Sequence, residues 1–175
     1  MTTALLLRDL GFQVDVYERT PIPLDGRGSG IVLQPDTVRW FAERSTQNLA
    51  DLQTTTAYVQ YLDPSGATVH REPARWTYTS WGTFYRALLA DFGTERYHYG
   101  EFACGFSQDA DTVTVRFVSG RTATADLVVF ADGITSPPAR EYFDPRSHAD
   151  VRRLCGLAGH RRMGEPVRRE PRCAG

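Results

Sequence analysis

The spacing of apolar residues changes along the chain, and each change marks an element. Leu5, Leu6 and Leu10 recur at helical spacing, and Gly11 sits where a helix C-terminal glycine belongs. Phe12, Val14 and Val16 then alternate with Gln13 and Asp15, which predicts a strand closing on Tyr17-Glu18-Arg19. Pro21 and Pro23 mark a loop leading into Gly26-Arg27-Gly28-Ser29-Gly30. Ile31 to Leu33 reads as a short strand, and Pro35 opens a helix to Glu43 with Val38, Phe41 and Ala42 inward. Thr54 to Leu62 and Ala67 to Arg71 are β runs joined by the turn sequence Asp63-Pro64-Ser65-Gly66. Arg75 to Ser80 reads as a loop, and Trp81 to Phe92 as a helix carrying Phe84, Leu88 and Leu89 on one face. Tyr97 to Phe106, Thr112 to Val118 and Arg121 to Ala125 are further β runs, with turns at Asp109–Asp111 and Ser119-Gly120. Asp126 to Ala131 is apolar on both faces, as a buried parallel strand would be. Beyond residue 145 no hydrophobic period is sustained.

Helices alternating with strands, one of them apolar on both faces, predict an α/β fold. In such folds ligands bind beyond the C-terminal ends of the parallel strands. Two acids take that position, Glu18 with Arg19 beside it, and Asp132 followed by Gly133. A carboxylate there accepts hydrogen bonds from both hydroxyls of a ribose. Asp-Gly is also an ordinary turn dipeptide, and a loop or helix arginine is commonly a solvated side chain. Arg27 and Arg86 become candidates only in company. Trp76, Tyr78 and Trp81 suit a pocket wall or plain core. The four histidines show no metal-ligand spacing, and Ser29 lacks the G-x-S-x-G setting of a nucleophile.

Length and composition narrow the picture. A chain of 175 residues with 41% hydrophobic content supports one domain with a real core. No apolar run approaches a membrane span, and no signal-peptide pattern is present. Three cysteines without metal spacing suit a reducing cytoplasm. All 20 basic residues are arginine. Residues 1–145 hold 12 arginines against 18 acids, whereas residues 146–175 hold 8 against 3, so an acidic body precedes a basic tail.

The stretch VDVYERTPIPLDGRGSGIVLQPDTVRWF, together with TSWGTFYRALL and DLVVFADGITS, resembles the flavoprotein aromatic hydroxylases of the p-hydroxybenzoate hydroxylase type. Within them it is most similar to the dihydroxypyridine hydroxylase-like branch. The resemblance implies a Rossmann-like FAD-binding domain of the glutathione-reductase type lacking its first strand, with part of a β-rich substrate-side region, over residues 1–145. It further implies FAD as cofactor, NAD(P)H as co-substrate, and hydroxylation of a small aromatic or heteroaromatic ring by dioxygen. Glu18, Arg19, Arg27, Arg86 and Asp132 are the implied cofactor contacts, with the backbone of Glu101 to Ala103 beside the adenine. No G-x-G-x-x-G turn occurs in the 175 residues, so this chain is expected to be inactive as it stands.

Residues 146–175 match nothing in that family and are expected to be disordered. Read one base out of frame with suitable synonymous codons, Val151 to Gly164 yields Tyr-Ala-Gly-Tyr-Val-Ala-Trp-Arg-Gly, the strand with which these hydroxylases continue, so a frameshift is the expected origin of the tail. Two other classes stand beside this reading. One is a non-catalytic remnant that binds a nucleotide or a partner chain. The other is nucleic-acid binding through the arginine-rich tail, which lacks a recognition fold and interleaved aromatics. Oligomeric state is open.

Overall fold

The computed structural model describes residues 1–24, 26, 28–133 and 136. In chain order the elements begin α1 (Thr2–Asp9), β1 (Val16–Glu18), β2 (Gly30–Val32) and α2 (Pro35–Arg44). There follow β3 (Thr54–Thr55), β4 (Tyr58–Leu62), β5 (Thr68–Pro73), β6 (Thr77–Ser80) and α3 (Trp81–Phe92). The last are β7 (Tyr97–Tyr99), β8 (Ala103–Gln108), β9 (Val113–Phe117) and β10 (Thr122–Ala125). The chain is mixed α/β, and its described residues divide into two compact units, one of Met1–Val16 with Leu24–Tyr97, the other of Tyr17–Pro23 with the described residues from His98 on.

The first unit is built on three helices. Leu5 of α1 is fully buried among Trp40 and Phe41 of α2 and Ala87 and Leu88 of α3. Polar groups fix how the helices meet. The Trp40 indole N–H donates to Asp9 Oδ2 at 2.8 Å, so its polar edge is satisfied inside the cluster. Arg8 donates to the carbonyls of Asp91 and Phe92, the unpaired acceptors at the end of α3. Asp91 in turn accepts from the Ser45 and Thr46 hydroxyls and the Thr46 N–H just past α2. Burial alone would raise the Asp91 pKa, but these hydrogen bonds and the Arg8 charge outweigh it and hold it below the ordinary value.

Trp40 takes the inward place expected for Ala42, which is exposed. Leu6 is exposed and Leu10 lies past the end of α1, 74% exposed, because this short helix presents only Ala4 and Leu5 to the core. Gly11 does adopt a left-handed φ of 91°, the helix-ending conformation expected of it.

The predicted loop from Arg75 to Ser80 is a strand over its second part. β6 is the centre of a three-stranded antiparallel sheet, between β2 and β3. From β3 to β6 the chain is one long bent hairpin. β3 faces β6 with Thr54 opposite Tyr78, and β4 faces β5 with Tyr58 opposite Pro73. Thr56 bonds Trp76 and Ala74 bonds Ala57, which leaves Arg75 as an extra residue that bends the arm. The predicted Asp63–Gly66 turn closes its tip. Asp63 Oδ1 accepts from the N–H groups of Ser65 and Ala67, and Gly66 has a φ of 87°.

In the second unit β8, β9 and β10 form an antiparallel meander, as predicted. Tyr17 is its aromatic centre, its ring stacked on His98 and tilted against Phe117, each 4.7 Å away, with Arg121 above it. β1 pairs with β7. Val16 bonds Arg96 and Glu101 bonds Glu18, so the pairing advances in the same sense on both strands and is parallel.

Two strand predictions need correction. Phe12 to Asp15 is not strand, and Phe12 is 52% exposed, because β1 has a partner only from Val16 on. Asp126 to Ala131 is not a strand either, with Leu127 and Val129 more than half exposed. A parallel strand exists only as part of a ladder, and no described residue pairs with this segment. Apolar character alone did not supply the neighbour. The expected tail, and the shortening of a helix after Pro137-Pro138, lie outside the described residues.

Candidate functional site

In the second unit the candidate site begins where β1 ends. Glu18 is half-buried, and its Oε1 accepts the Thr20 N–H at 2.8 Å. That bond fixes the carboxylate and leaves Oε2 without a hydrogen bond among the described residues, an acceptor suited to a hydroxyl. The Glu18 carbonyl takes the Glu101 N–H at 2.9 Å, and Gly100 bonds the Thr20 carbonyl, so the turn after β7 lies along the end of β1. The Glu101 carboxylate is held by the Ser119 hydroxyl at 2.6 Å and by Arg121 at 3.6 Å. Arg19 is exposed beside Glu18.

Asp132 also belongs to this unit and is exposed in a bend before Gly133, whose φ is 81°. It does not end a parallel strand as predicted, for the reason given for Asp126 to Ala131. The aromatic contact nearest it in sequence is that of Phe130 with Phe106, at 5.3 Å.

In the first unit the glycine-rich loop rests on the start of α3. Gly28 has a φ of 83°, and a Cβ built there would lie 2.7 Å from Trp81 Cβ, so glycine is required twice over. The Ser29 carbonyl accepts the Trp81 N–H at 3.1 Å. Trp81 stacks on Tyr85, with centroids 5.0 Å apart, and Tyr85 hydrogen-bonds Tyr97. The helix is started by Ser80, whose hydroxyl accepts the Thr83 N–H. Arg86 follows one turn later, exposed, its guanidinium 3.4 Å from the Thr83 hydroxyl. Arg27 lies outside the described residues. Trp76 and Tyr78 touch each other, with centroids 6.3 Å apart, whereas Trp81 is committed to Gly28 and Tyr85.

Residue spacing did not reveal the buttressing role of Trp81 or the stacking of His98 on Tyr17. Both depend on residues far apart in sequence. No described helix is long and apolar enough to cross a membrane.

An acid fixed at the end of a parallel strand and a glycine loop buttressed by a helix start are features that known proteins can place. Over 134 residues the chain is 43% identical to the 2,6-dihydroxypyridine 3-monooxygenase of Paenarthrobacter nicotinovorans, covering 76% of this chain and 34% of that protein. The chain belongs to the flavoprotein aromatic monooxygenase family. The structure of 2,6-dihydroxypyridine-3-hydroxylase from Arthrobacter nicotinovorans superposes with a TM-score of 0.72 at 42% identity, over 80% of this chain and 35% of that one. Klebsiella pneumoniae HpxO, solved with FAD and uric acid, gives a TM-score of 0.61 at 25% identity, over 77% and 36%. No family model matches. The chain thus spans about a third of the length of these monooxygenases and aligns to part of their α/β structure.

Proposed function

We propose that this chain carries part of the FAD-binding region of a monooxygenase that hydroxylates a small aromatic or heteroaromatic ring with NAD(P)H and dioxygen. The observation that carries the proposal is the Glu18 carboxylate. It is fixed through Oε1 at the end of a parallel strand with Oε2 open, in a sequence 43% identical to a ring monooxygenase. Glu18 accepts the ribose hydroxyls, with the Glu101 backbone beside the adenine. Arg19, Arg27, Arg86 and Asp132 contact the remainder of the cofactor, the arginines offering fixed donors to phosphate. FAD, when bound, supplies the redox chemistry, while the protein binds and orients it.

The 175-residue chain alone holds FAD weakly and does not turn over. The pyrophosphate of a dinucleotide is held by backbone N–H groups at a glycine-rich turn opening a helix, and the sequence contains no G-x-G-x-x-G. Titration calorimetry with FAD tests both parts. The expected result is saturable binding weaker than micromolar, weakened at least fivefold by Glu18→Ala. Absence of saturable binding would sink the site assignment, and sub-micromolar stoichiometric binding would sink the weak-binding reading.

A further inference from the structure

The β4–β5 arm of the first unit has two outer edges, and they are not alike. Antiparallel pairing alternates, so residues whose backbone groups bond the neighbouring strand alternate with residues whose groups face outward. Ala57 is bonded to Ala74 and Asp63 to Ala67, which places Val59 and Tyr61 inward as well. Tyr58, Gln60 and Leu62 therefore point their N–H and C=O groups away from β5. On β5 the outward positions are those opposite them, Pro73 facing Tyr58 and Arg71 facing Gln60.

The β5 edge is blunted by several devices. Pro73 has no N–H to offer there, Arg71 is charged, and Val69 is an extra residue that breaks the register between Tyr61 and Leu62. These are recognised ways of preventing a further strand from adding. The β4 edge has none of them. From Thr54 to Leu62 the sequence TTTAYVQYL holds no charge, proline or glycine, and no described strand other than β5 pairs with β4. Tyr58, Tyr61 and Leu62 are each more than 40% exposed.

From this asymmetry we propose that the β4 edge pairs with the β4 edge of a second copy of this chain, antiparallel, about a twofold axis through Gln60. The strand is self-complementary in that register. Gln60 exchanges both backbone bonds with the second copy's Gln60, and Tyr58 and Leu62 do so with the second copy's Leu62 and Tyr58. Val59 comes opposite Tyr61 of the other copy on one face, and Tyr58 opposite Leu62 on the other, the aromatic–aliphatic neighbours that stabilise cross-strand pairs. Arg71 and Glu72 lie on the outer strands of the resulting four-stranded sheet, and each is already engaged by a β4 tyrosine of its own copy, Arg71 over the Tyr58 ring and Glu72 on the Tyr61 hydroxyl. No like charges meet, and every contact is repeated by the symmetry. This proposal is independent of the flavin reading. The area contributed by one strand per copy is below that of a standard interface, so the dimer is weak and concentration-dependent.

Sedimentation equilibrium of the 175-residue chain tests the proposal. A reversible rise from 19.6 kDa toward twice that mass is expected as concentration increases. Gln60→Pro removes an outward N–H without touching the β4–β5 ladder and is expected to raise the dimer Kd at least tenfold. Gln60→Lys keeps every backbone group, sets two like charges together at the axis, and should do the same. Thr68→Pro, an outward position on the other edge opposite Leu62, is expected to change Kd less than threefold. A wild type monomeric at every concentration would overturn the proposal. So would dimers indifferent to both Gln60 variants, equal loss with Thr68→Pro, or open-ended oligomers in place of a dimer.

Discussion

Replacing Gly28 by alanine separates two reasons why the glycine-rich loop needs a glycine. A left-handed φ costs an L-residue about 1–2 kcal/mol wherever it occurs. At Gly28 the new methyl would also lie 2.7 Å from Trp81 Cβ and 2.9 Å from Cγ, the root of the side chain and not a flexible tip. Turning the Trp81 side chain moves Cγ but not Cβ, so the backbone must shift as well, and leaving the rotamer alone costs about 0.5–1.5 kcal/mol. Its stacking on Tyr85 is lost with it, a further ~0.5–1.5 kcal/mol. The total is about 2–5 kcal/mol, of which about 1–2 kcal/mol is the backbone part. Gly66 has nearly the same φ, 87°, but nothing within 4 Å of its absent Cβ, so Gly66→Ala measures the backbone part alone. Urea unfolding followed by tryptophan fluorescence gives both numbers. With m of roughly 1–3 kcal/mol/M, Gly28→Ala lowers the midpoint by about 1 M or more. A double-mutant cycle completes the measurement, because in a Trp81→Gly background, which removes Cβ as well as the ring, Gly28→Ala should cost only the backbone part of about 1–2 kcal/mol. If Gly28→Ala costs the same as Gly66→Ala, or the same with and without Trp81, the packing argument is wrong.

Other expectations can be checked on the same chain. Leu5→Ala, at a fully buried position, should cost about 2–5 kcal/mol, whereas Leu10→Ala should lie within about 0.5 kcal/mol of wild type. Asp91 has its pKa depressed in the folded state, so its contribution to stability is present above the unfolded value near 3.8 and is lost as pH falls through the folded one. Asp91→Asn should flatten the acid limb of a stability–pH curve, and an unchanged slope would contradict the hydrogen-bond assignment. NAD(P)H oxidation by the 175-residue chain with phenols or hydroxypyridines should be undetectable in a spectrophotometric assay. The coding DNA tests the frameshift directly, for the shifted frame should encode the Tyr-Ala-Gly-Tyr strand and continue into a Gly-Asp-Ala segment.

The local signals in the sequence were dependable where local chemistry decides the structure. The glycine ending α1, the proline opening α2 and the Asp63–Gly66 turn all depend on residues within a few positions of one another. What failed needed a distant partner. Asp126 to Ala131 and Phe12 to Asp15 have the composition of strands, yet strand structure requires a neighbour that composition does not specify. Arg75 to Ser80 reads as a loop although its Trp, Thr and Tyr residues favour strands, and Thr77–Ser80 is recruited as β6 by β2 and β3. The site divides in the same way. Glu18 does stand at the end of β1, as read from the sequence, although the alternation ahead of it is not strand. The packing of Trp81 on Gly28 spans most of the first unit and left no trace in spacing.

The interleaving of the two units has a consequence for how the chain matures on the ribosome. The stacking partner of Tyr17, His98, is made 81 residues after it. At roughly 5–20 residues per second the strand holding Tyr17 waits about 4–16 s for it. Closing so long a loop in a random chain costs about 4 kcal/mol in entropy. The cost falls if Leu24–Tyr97 folds first, because that unit already bonds Val16 to Arg96 and so brings the next residue of each strand alongside the other.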